Sequence, residues 1–384
     1  MNTFPAVLTG AAVALLALAT AGCAAPSAGP GSASSSSAPV ATERATSPAS
    51  QATSVTLAPA GTPTRTAVPS TIVGTTILNP DLTSTGGGLY LRWDLTQAQQ
   101  NPPPEGLARV DPATGRFLAV NTSTPGSISV PAYGAGALWV TDSESGGEFL
   151  IRLNPQTLAV TGQMKVTSGN HPVGAVGGSG SHIAFAGGLV WTDGVDQLVA
   201  VSPSEMTAQR TITFPQADNS DVTASADGST LIVSEAISGA GMVQRRDPVT
   251  GALLGSVPMA GVVAPTLAGV TAGGTWISEP TGMMGYVERF GTAPLKADGA
   301  TQVEGSNGIR VDLWDGDLWV TNQGGGRSRN YCADPATGRR LAASPLPDLT
   351  QDHLMTVAEQ RVYYSVPAGS GFQIRTVPVP AACG

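Results

Sequence analysis

The sequence predicts an all-β fold, and two observations carry this prediction. The 384-residue chain contains 48 Gly and 30 Pro but only 12% charged residues, a composition that disfavours helix bundles, coiled coils and doubly wound sheets. After residue 70, short apolar runs alternate with Gly-rich turns, which is typical of successive antiparallel strands.

A repeated phrase divides this region into seven units. In each unit a small or turn residue precedes a short apolar core, and the cores follow one another at intervals of 41 to 52 residues. Four strands in a repeat of about 45 residues make one propeller blade. The sequence therefore predicts a seven-bladed β-propeller with four-stranded antiparallel blades over 70–384. The central residues of the seven cores, expected to pack between blades, are Tyr90, Trp139, Trp191, Ile232, Trp276, Trp319 and Tyr363.

A second phrase, built around Asp-Pro and Thr-Gly, indicates a tight turn. Asp or Asn accepts backbone hydrogen bonds at the start of such a turn, Pro fixes φ, and Gly supplies a positive φ at its end. We label the strands of a blade A to D from the inside outward. The first phrase is expected on strand B and the second between strands C and D. The turn sequences are Asp111–Gly115, Asn154–Thr157, Asp247–Gly251 and Asp334–Gly338.

The last unit is too short to supply its own outer strand. An unpaired blade edge would expose a row of backbone donors and acceptors. We therefore expect an N-terminal strand, from roughly 70 to 78, to close the ring against the seventh blade.

These phrases carry a resemblance to known families. The pattern G-x-L-W-V-T followed by I-x-R-x-[DN]-P-x-T-G resembles the YVTN-type repeat and virginiamycin B lyase, both of which are seven-bladed propellers, and the resemblance covers about 70–380. The lyase family opens a lactone by elimination, using paired His and Glu residues and a magnesium ion. Because His171, His182 and His353 lie in different repeats, with no Glu–His pair close in sequence, the resemblance implies the fold but does not assign catalytic residues.

The N-terminus has the pattern of an export signal. Residues 6–21 are almost entirely apolar and are followed by Gly22 and Cys23, which resembles the lipobox of bacterial lipoproteins. We therefore predict a signal peptide over 1–22, a lipidated Cys23 and a position on the outer side of the cytoplasmic membrane. Residues 1–22 contain no Lys or Arg, so an ordinary cleaved signal, with Cys23 incidental, is the alternative.

Residues 23–69 are predicted to form a disordered tether. They are dominated by Ala, Ser, Pro and Thr and bury too little apolar surface to offset the entropy of ordering. A flexible linker of about 45 residues reaches roughly 35–40 Å. Such a tether would hold a globular domain away from the membrane surface.

The two other cysteines, Cys332 and Cys383, are predicted to form a disulfide. An even pair in an exported protein favours a bond because the compartment is oxidising. Two unpaired structural thiols are the alternative.

The ends of the B strands carry the candidate binding residues. In propellers the B–C and D–A loops share one face around the central channel, and polar residues recur where these B strands end. These polar residues could bind a cation or a basic partner. Alternatively, they could simply initiate turns, and this is the interpretation we favour. Glu is a poor turn initiator, so this interpretation suits the Glu residues of the set less well. The residues are Asp94, Asp142, Asp193, Glu235, Glu279 and Asn322.

Two long segments on the same face, 94–106 and 167–181, are the best candidates for binding loops. The second contains His171, expected to be a solvated loop residue rather than a catalytic base. The net charge of −8 argues against nucleic acid as a partner.

We therefore predict a monomeric, membrane-tethered binding or scaffold module without catalytic activity, whose partner is a cell-envelope protein or glycan. No cofactor is expected, apart from a divalent cation if the acidic residues converge at the channel mouth. A metal-assisted lyase or hydrolase with its site at the channel mouth is the alternative function.

Overall fold

The computed structural model describes the chain from residue 64 to residue 383, with gaps. Residues 1–63, which include the predicted signal, Cys23 and most of the predicted tether, lie outside the described part. The described ranges are 64–67, 71–72, 75–76, 78–94, 105–124, 126–144, 147–167, 182–194, 196–214, 217–237, 240–259, 266–271, 274–281, 284–303, 309–314, 316–322, 330–343, 355–368 and 371–383.

Seven antiparallel sheets, each running from an inner strand A to an outer strand D, confirm the predicted seven-bladed propeller. In blade 2 the inner strand is interrupted, so that two short pieces, β8 and β9, both pair with strand B. Before blade 1 the strands are β1 Thr64–Ala67, β2 Thr71–Ile72 and β3 Thr75–Thr76. Blade 1 consists of β4 Leu78–Thr85, β5 Gly88–Asp94, β6 Glu105–Val110 and β7 Phe117–Asn121. Blade 2 consists of β8 Ser127–Ile128, β9 Ala132–Gly134, β10 Ala137–Glu144, β11 Gly147–Leu153 and β12 Val160–Thr167.

The remaining blades repeat this order. Blades 3 and 4 consist of β13 Ile183–Ala186, β14 Leu189–Gly194, β15 Gln197–Ser202 and β16 Thr207–Thr213, and of β17 Ala217–Ala224, β18 Leu231–Ile237, β19 Ala240–Arg246 and β20 Leu253–Met259. Blades 5 and 6 consist of β21 Thr266–Thr271, β22 Gly274–Thr281, β23 Met284–Thr292 and β24 Leu295–Val303, and of β25 Ile309–Trp314, β26 Asp317–Asn322, β27 Tyr331–Ala333 and β28 Arg340–Ala343. Blade 7 contributes β29 Met355–Ala358, β30 Arg361–Ala368 and β31 Gly371–Pro378, followed by a short 3₁₀ helix, Ala381–Cys383.

The two repeated phrases form one inter-blade contact. All seven central residues of the first phrase lie on strand B and are at most 2% exposed. The indole Nε1 of Trp191 donates to the carbonyl oxygen of Pro248, in the C–D turn of the next blade, at 3.1 Å. Trp276 makes the same bond to Pro335 at 2.8 Å. In blades 3 and 5 the tryptophan is therefore fixed by the Asp-Pro turn of the next blade, whereas Trp139 of blade 2 donates to Gly134 of its own blade.

The C–D turns have the predicted chemistry. Asp247 Oδ1 accepts hydrogen bonds from the N–H groups of Val249 and Thr250, at 3.0 and 2.7 Å. Gly251 then closes the turn with a φ of 73°. In blade 2, Leu158 occupies the equivalent position with a φ of 59°, and its side chain is buried.

The strand that closes blade 7 differs from the predicted one. The outer edge of β31 pairs with β1, with Thr64 opposite Thr376 and Ala67 opposite Gln373. The prediction that 70–78 supplies this strand was wrong, because Leu78 already begins strand A of blade 1. The closing strand must end well before Leu78, because β1 lies at the outer edge of blade 7 and β4 at the inner edge of blade 1, and the two edges of a four-stranded sheet are about 14 Å apart.

Blade 1 packs directly against blade 7. The backbone N–H of Ser84 donates to Thr356 Oγ1 at 2.9 Å. Tyr363 and Ile374 of blade 7 share a hydrophobic cluster with Leu82 and Trp93 of blade 1. Side-chain packing therefore joins the two ends of the repeat.

The predicted cysteine pair is confirmed. Cys332 on β27 and Cys383 in the 3₁₀ helix form a disulfide with their Cα atoms 6.0 Å apart. Both residues belong to the apolar cluster between blades 6 and 7. The bond therefore fastens the segment after blade 7 to strand C of blade 6.

Candidate binding face

The face that carries the B–C and D–A connections is called here the channel-mouth face. Asp142, Asp193 and Glu235 all lie near the C-terminal end of strand B, on β10, β14 and β18, and are 0%, 5% and 4% exposed. Asp142 and Glu235 are each followed by two further strand residues, so neither starts a turn. These three acidic side chains are buried within and between the blades, and they do not form an exposed ring.

The other predicted residues of this face are described less completely. Asp94, Glu279 and Asn322 lie on strand B of blades 1, 5 and 6, which agrees with the predicted strand positions. His171 lies outside the described residues, as do most residues of the two predicted binding loops.

Between blades 1 and 2, an arginine links acidic residues to the neighbouring sheet. Arg92 Nη2 lies 3.2 Å from Asp81 Oδ2, and Arg92 Nε lies 3.5 Å from Glu105 Oε2. Arg92 Nη1 also donates to the carbonyl oxygen of Ile128 at 2.5 Å. Glu105 accepts a bond from the Ser127 hydroxyl at 2.6 Å. This network ties strands A, B and C of blade 1 to strand A of blade 2.

A histidine and two aspartates link blades 3, 4 and 5. His182 Nδ1 lies 3.0 Å from Asp193 Oδ2 and 3.7 Å from Asp221 Oδ1. The other oxygen of Asp221 accepts the backbone N–H of Leu267, in blade 5, at 2.8 Å. Burial favours neutral His182, but the carboxylates of Asp193 and Asp221 outweigh it and raise the pKa of His182. The histidine is therefore a buried cation held between anions.

Glu148 lies between blades 2 and 3 and is 1% exposed. Among the described residues, neither of its carboxyl oxygens makes a hydrogen bond of good geometry, although the Thr141 hydroxyl is close enough to lower its pKa slightly. Burial raises the pKa of Glu148 well above its usual value, and the Asp193 carboxylate adds to the rise against the opposing charge of His182. Protonated Glu148 is therefore the form that this interface favours.

Asp142 shows the same effect between blades 1 and 2. Burial is the main cause that raises its pKa to about 7, and the nearby Glu144 and Glu105 contribute, while the Gly126 N–H opposes the rise. Asp142 is therefore only partly ionised near neutral pH.

Glu235 belongs to a further network, between blades 3 and 4. Gln244 Nε2 donates to Glu235, and Arg246 Nε donates to Gln244 Oε1 at 2.8 Å. The Arg246 guanidinium lies over the ring of Phe214, 5.2 Å from its centroid. Glu235, which is a poor turn initiator, is thus a buried hydrogen-bond acceptor.

Sequence reasoning missed Glu148, Asp221 and the role of His182. A signal for the histidine does exist, because residues at equal distances from a hairpin turn face each other. Ile183 pairs with Thr192 across the Gly187-Gly188 turn, which places His182 opposite Asp193. The contacts from Glu148 and Asp221 to other blades have no such local signal.

Within the described residues, no three His, Cys, Asp or Glu side chains are close enough to hold a metal ion. The chemistry of the described part of this face is internal hydrogen bonding and charge pairing between blades. The described rim of this face therefore consists of buried polar and charged side chains. The same residues include no helix with the length and apolar character needed to cross a bilayer.

Comparison with known proteins supports the architecture. The fold is similar to BamB from Moraxella catarrhalis, with a TM-score of 0.52 and 13% identity over 79% of this chain and 86% of that chain. It is also similar to the WD40 domain of coronin from Toxoplasma gondii, with a TM-score of 0.54 and 12% identity over 78% and 81% of the two chains. No protein-family model and no curated protein matches the sequence. The class of protein defined here is therefore the seven-bladed β-propeller.

Proposed function

We propose that this protein is a non-catalytic binding or scaffold module that uses the channel-mouth face. One observation carries the proposal: charged side chains described on this face join blades to one another, as in the contact between His182 of blade 3 and Asp221 of blade 4 at 3.7 Å. Such a rim supports long connections without taking part in chemistry itself. Binding surfaces are commonly built on loops held by a rigid scaffold, and we assign that role to the segments 94–106 and 167–181.

The proposal also includes the cellular location of the protein. A lipid on Cys23 and the tether that follows it would hold a monomeric propeller on the outer side of the cytoplasmic membrane. The partner within reach of such a module is a cell-envelope protein or glycan. The repeat phrases and the lipobox-like segment in the sequence support this part of the proposal.

A crosslinking experiment tests the binding face. The full chain is expressed in a bacterial host with residues 95–104 replaced by a Gly-Ser segment of equal length, and envelope components are crosslinked in intact cells. We expect the loop replacement to remove specific crosslinked species. The matched control replaces Leu253 and Leu254, both 54% exposed on the outer strand of blade 4, with Ser and should retain them. Identical species from both variants would contradict the proposal.

Two further measurements test the membrane location and the alternative function. Cys23→Ala should abolish incorporation of labelled fatty acid and release the protein from the membrane fraction, whereas an ordinary cleaved signal predicts no change. Divalent-metal binding that is lost in Glu235→Gln or Glu279→Gln would instead support the metal-assisted enzyme.

A further inference from the structure

A cavity of about 260 Å³ opens on the face opposite the channel-mouth face. This tight-turn face carries the A–B and C–D turns. The cavity lies where blades 6, 7 and 1 meet, and it is lined by Ser84–Leu89 with Pro112, by Leu313 and Trp314, and by Val357–Glu359. Small-molecule sites usually measure about 300–1,000 Å³, so this cavity is better suited to one long side chain.

Glu359 supplies the charge of the cavity. It is the one ionisable side chain among the described lining residues, it is exposed, and it makes no ion pair within the described part of the chain. Burial is the main cause that raises the pKa of Tyr363, and Glu359 and Asp111, the residue before Pro112, add to the rise, so two anions lie near this ring. Arg361 opposes the rise, and its Nε is already bonded to Thr376 Oγ1 at 2.7 Å.

Trp314 adds an aromatic residue to the lining. It is 8% exposed, and its ring centroid lies 6.3 Å from that of Trp319. Tryptophan is the aromatic residue that holds a cation best, and a guanidinium can stack on an indole and bind a carboxylate at the same time. The turn Gly86–Gly88 exposes further backbone groups to the cavity.

The backbone at Glu359 is strained. Glu359 and Gln360 form the A–B turn of blade 7 with φ values of 50° and 59°. Two successive positive φ values favour Asn-Gly or Gly-Gly, and blades 1 and 3 use Gly86-Gly87 and Gly187-Gly188 at the equivalent place. In blade 7 this turn position is therefore occupied by Glu359, which fits the turn poorly but provides the carboxylate of the cavity. Ala135 has the same φ of 50° in the A–B turn of blade 2, so at this position blade 7 differs from blade 2 in its carboxylate rather than in its strain.

We propose that this cavity binds the guanidinium group of an arginine side chain presented by a partner protein. The Glu359 carboxylate pairs with the guanidinium, and the Trp314 indole packs against it. The site lies on the opposite face from the loops and does not depend on the function proposed for them.

An NMR titration tests the proposal. The full chain is titrated with the capped tripeptide acetyl-Gly-Arg-Gly-amide, and the Gly87 amide and the Trp314 indole N–H are monitored. We expect saturable shifts at both positions. The citrulline tripeptide, which has a similar shape but no charge, should bind at least tenfold more weakly. Equal binding of the two peptides, or no shift at either position, would overturn the proposal.

Variants separate charge from backbone strain. Glu359→Gln removes the charge and keeps the turn unfavourable, and it should weaken arginine binding at least tenfold. Gln360→Gly relieves the turn and should leave binding unchanged or tighter. Glu205→Gln, on an exposed residue of the same face in blade 3, should have no effect. Unchanged affinity in Glu359→Gln would exclude the carboxylate as the recognition group.

Two other ligands test which chemical group the cavity recognises. The lysine tripeptide should bind more weakly than the arginine tripeptide, because an ammonium group cannot pair in a fork. Free arginine tests the source of the guanidinium. If free arginine binds and the tripeptide does not, the site accepts a small molecule, and the proposal of a partner side chain fails.

Discussion

The indole N–H of Trp191 donates a hydrogen bond to the carbonyl oxygen of Pro248, which lies 57 residues later in the chain, in the next blade. This bond joins the two phrases that repeat along the sequence. The spacing of the two phrases along the sequence therefore reflects the contact between neighbouring blades as well as the length of one blade.

Trp191→Phe should destabilise the protein by about 1 kcal/mol through loss of this bond, in addition to the loss of packing. Trp93→Phe is the matched control, because the Trp93 Nε1 is buried without a hydrogen-bond partner among the described residues. Urea denaturation should therefore show a smaller loss for Trp93→Phe. Equal losses would mean that the Pro248 bond contributes nothing.

Gly251→Ala should be costly for two reasons. Gly251 has a φ of 73°, and a Cβ there would lie 2.5 Å from Ile212 Cδ1 and 3.0 Å from Trp191 Cη2. We expect a loss of about 2–4 kcal/mol from the positive φ and the overpacking together. Gly136→Ala isolates the first contribution, because Gly136 has a φ of 75° with nothing within 4 Å. Chemical denaturation of both variants should show the larger loss for Gly251→Ala, and the reverse order would contradict the close contact.

Asp142→Asn should stabilise the protein above pH 7. Because the folded pKa of Asp142 is raised to about 7, its contribution is fully present below the unfolded pKa and is lost as the pH rises through about 7. Unfolding free energies measured at pH 5 and pH 8 should therefore differ less in Asp142→Asn than in the unmodified protein. Asp247, whose pKa is lowered by hydrogen bonds from Thr250, is ionised at both pH values, so Asp247→Asn should leave the difference between pH 5 and pH 8 unchanged. The same pH dependence in both variants would refute this sign.

Replacing Cys332 and Cys383 with Ala should lower stability. The bond spans 51 residues, and the chain-entropy model gives about 4 kcal/mol for such a loop as an upper value. Thermal melts of the variant and of the reduced protein should shift downward together. Peptide mapping without reductant that finds two free thiols would contradict the bond.

Deleting residues 1–69 should impair folding, whereas deleting residues 1–57 should not. The longer deletion removes β1 and leaves the outer edge of β31 unpaired. Light scattering and thermal melts would report aggregation and a lower midpoint for the longer deletion. If both truncated proteins melt alike, β1 does not close the blade.

The sequence predicts the architecture well because each blade is specified locally. Strand B and the Asp-Pro turn depend on residues within one repeat, as at Trp319 and Asp334, so a single pattern identifies them. The position of β1 was mispredicted because its partner, β31, lies about 300 residues away, and a strand of four residues carries no periodicity of its own.

The buried networks of the channel-mouth face were predictable only in part. Their positions near the C-terminal end of strand B place Asp142 and Asp193 near that face. Whether a carboxyl group is exposed or buried depends on the neighbouring blade, as when Asp221 accepts the N–H of Leu267. The sequence of a single repeat does not predict such contacts between blades.

The position of β1 also has a mechanical consequence. If the residues before Thr64 anchor the protein, any pull on them reaches the ring first through four paired residues, from Thr64 to Ala67. The disulfide between Cys332 and Cys383 meanwhile joins blade 6 to the segment after blade 7. Tension would therefore peel β1 from blade 7 and load the junction between blades 7 and 1, while the covalent link keeps blades 6 and 7 together. Among the described residues, the junction between blades 7 and 1 is thus where force would first act on the ring, and this junction borders the cavity that contains Glu359.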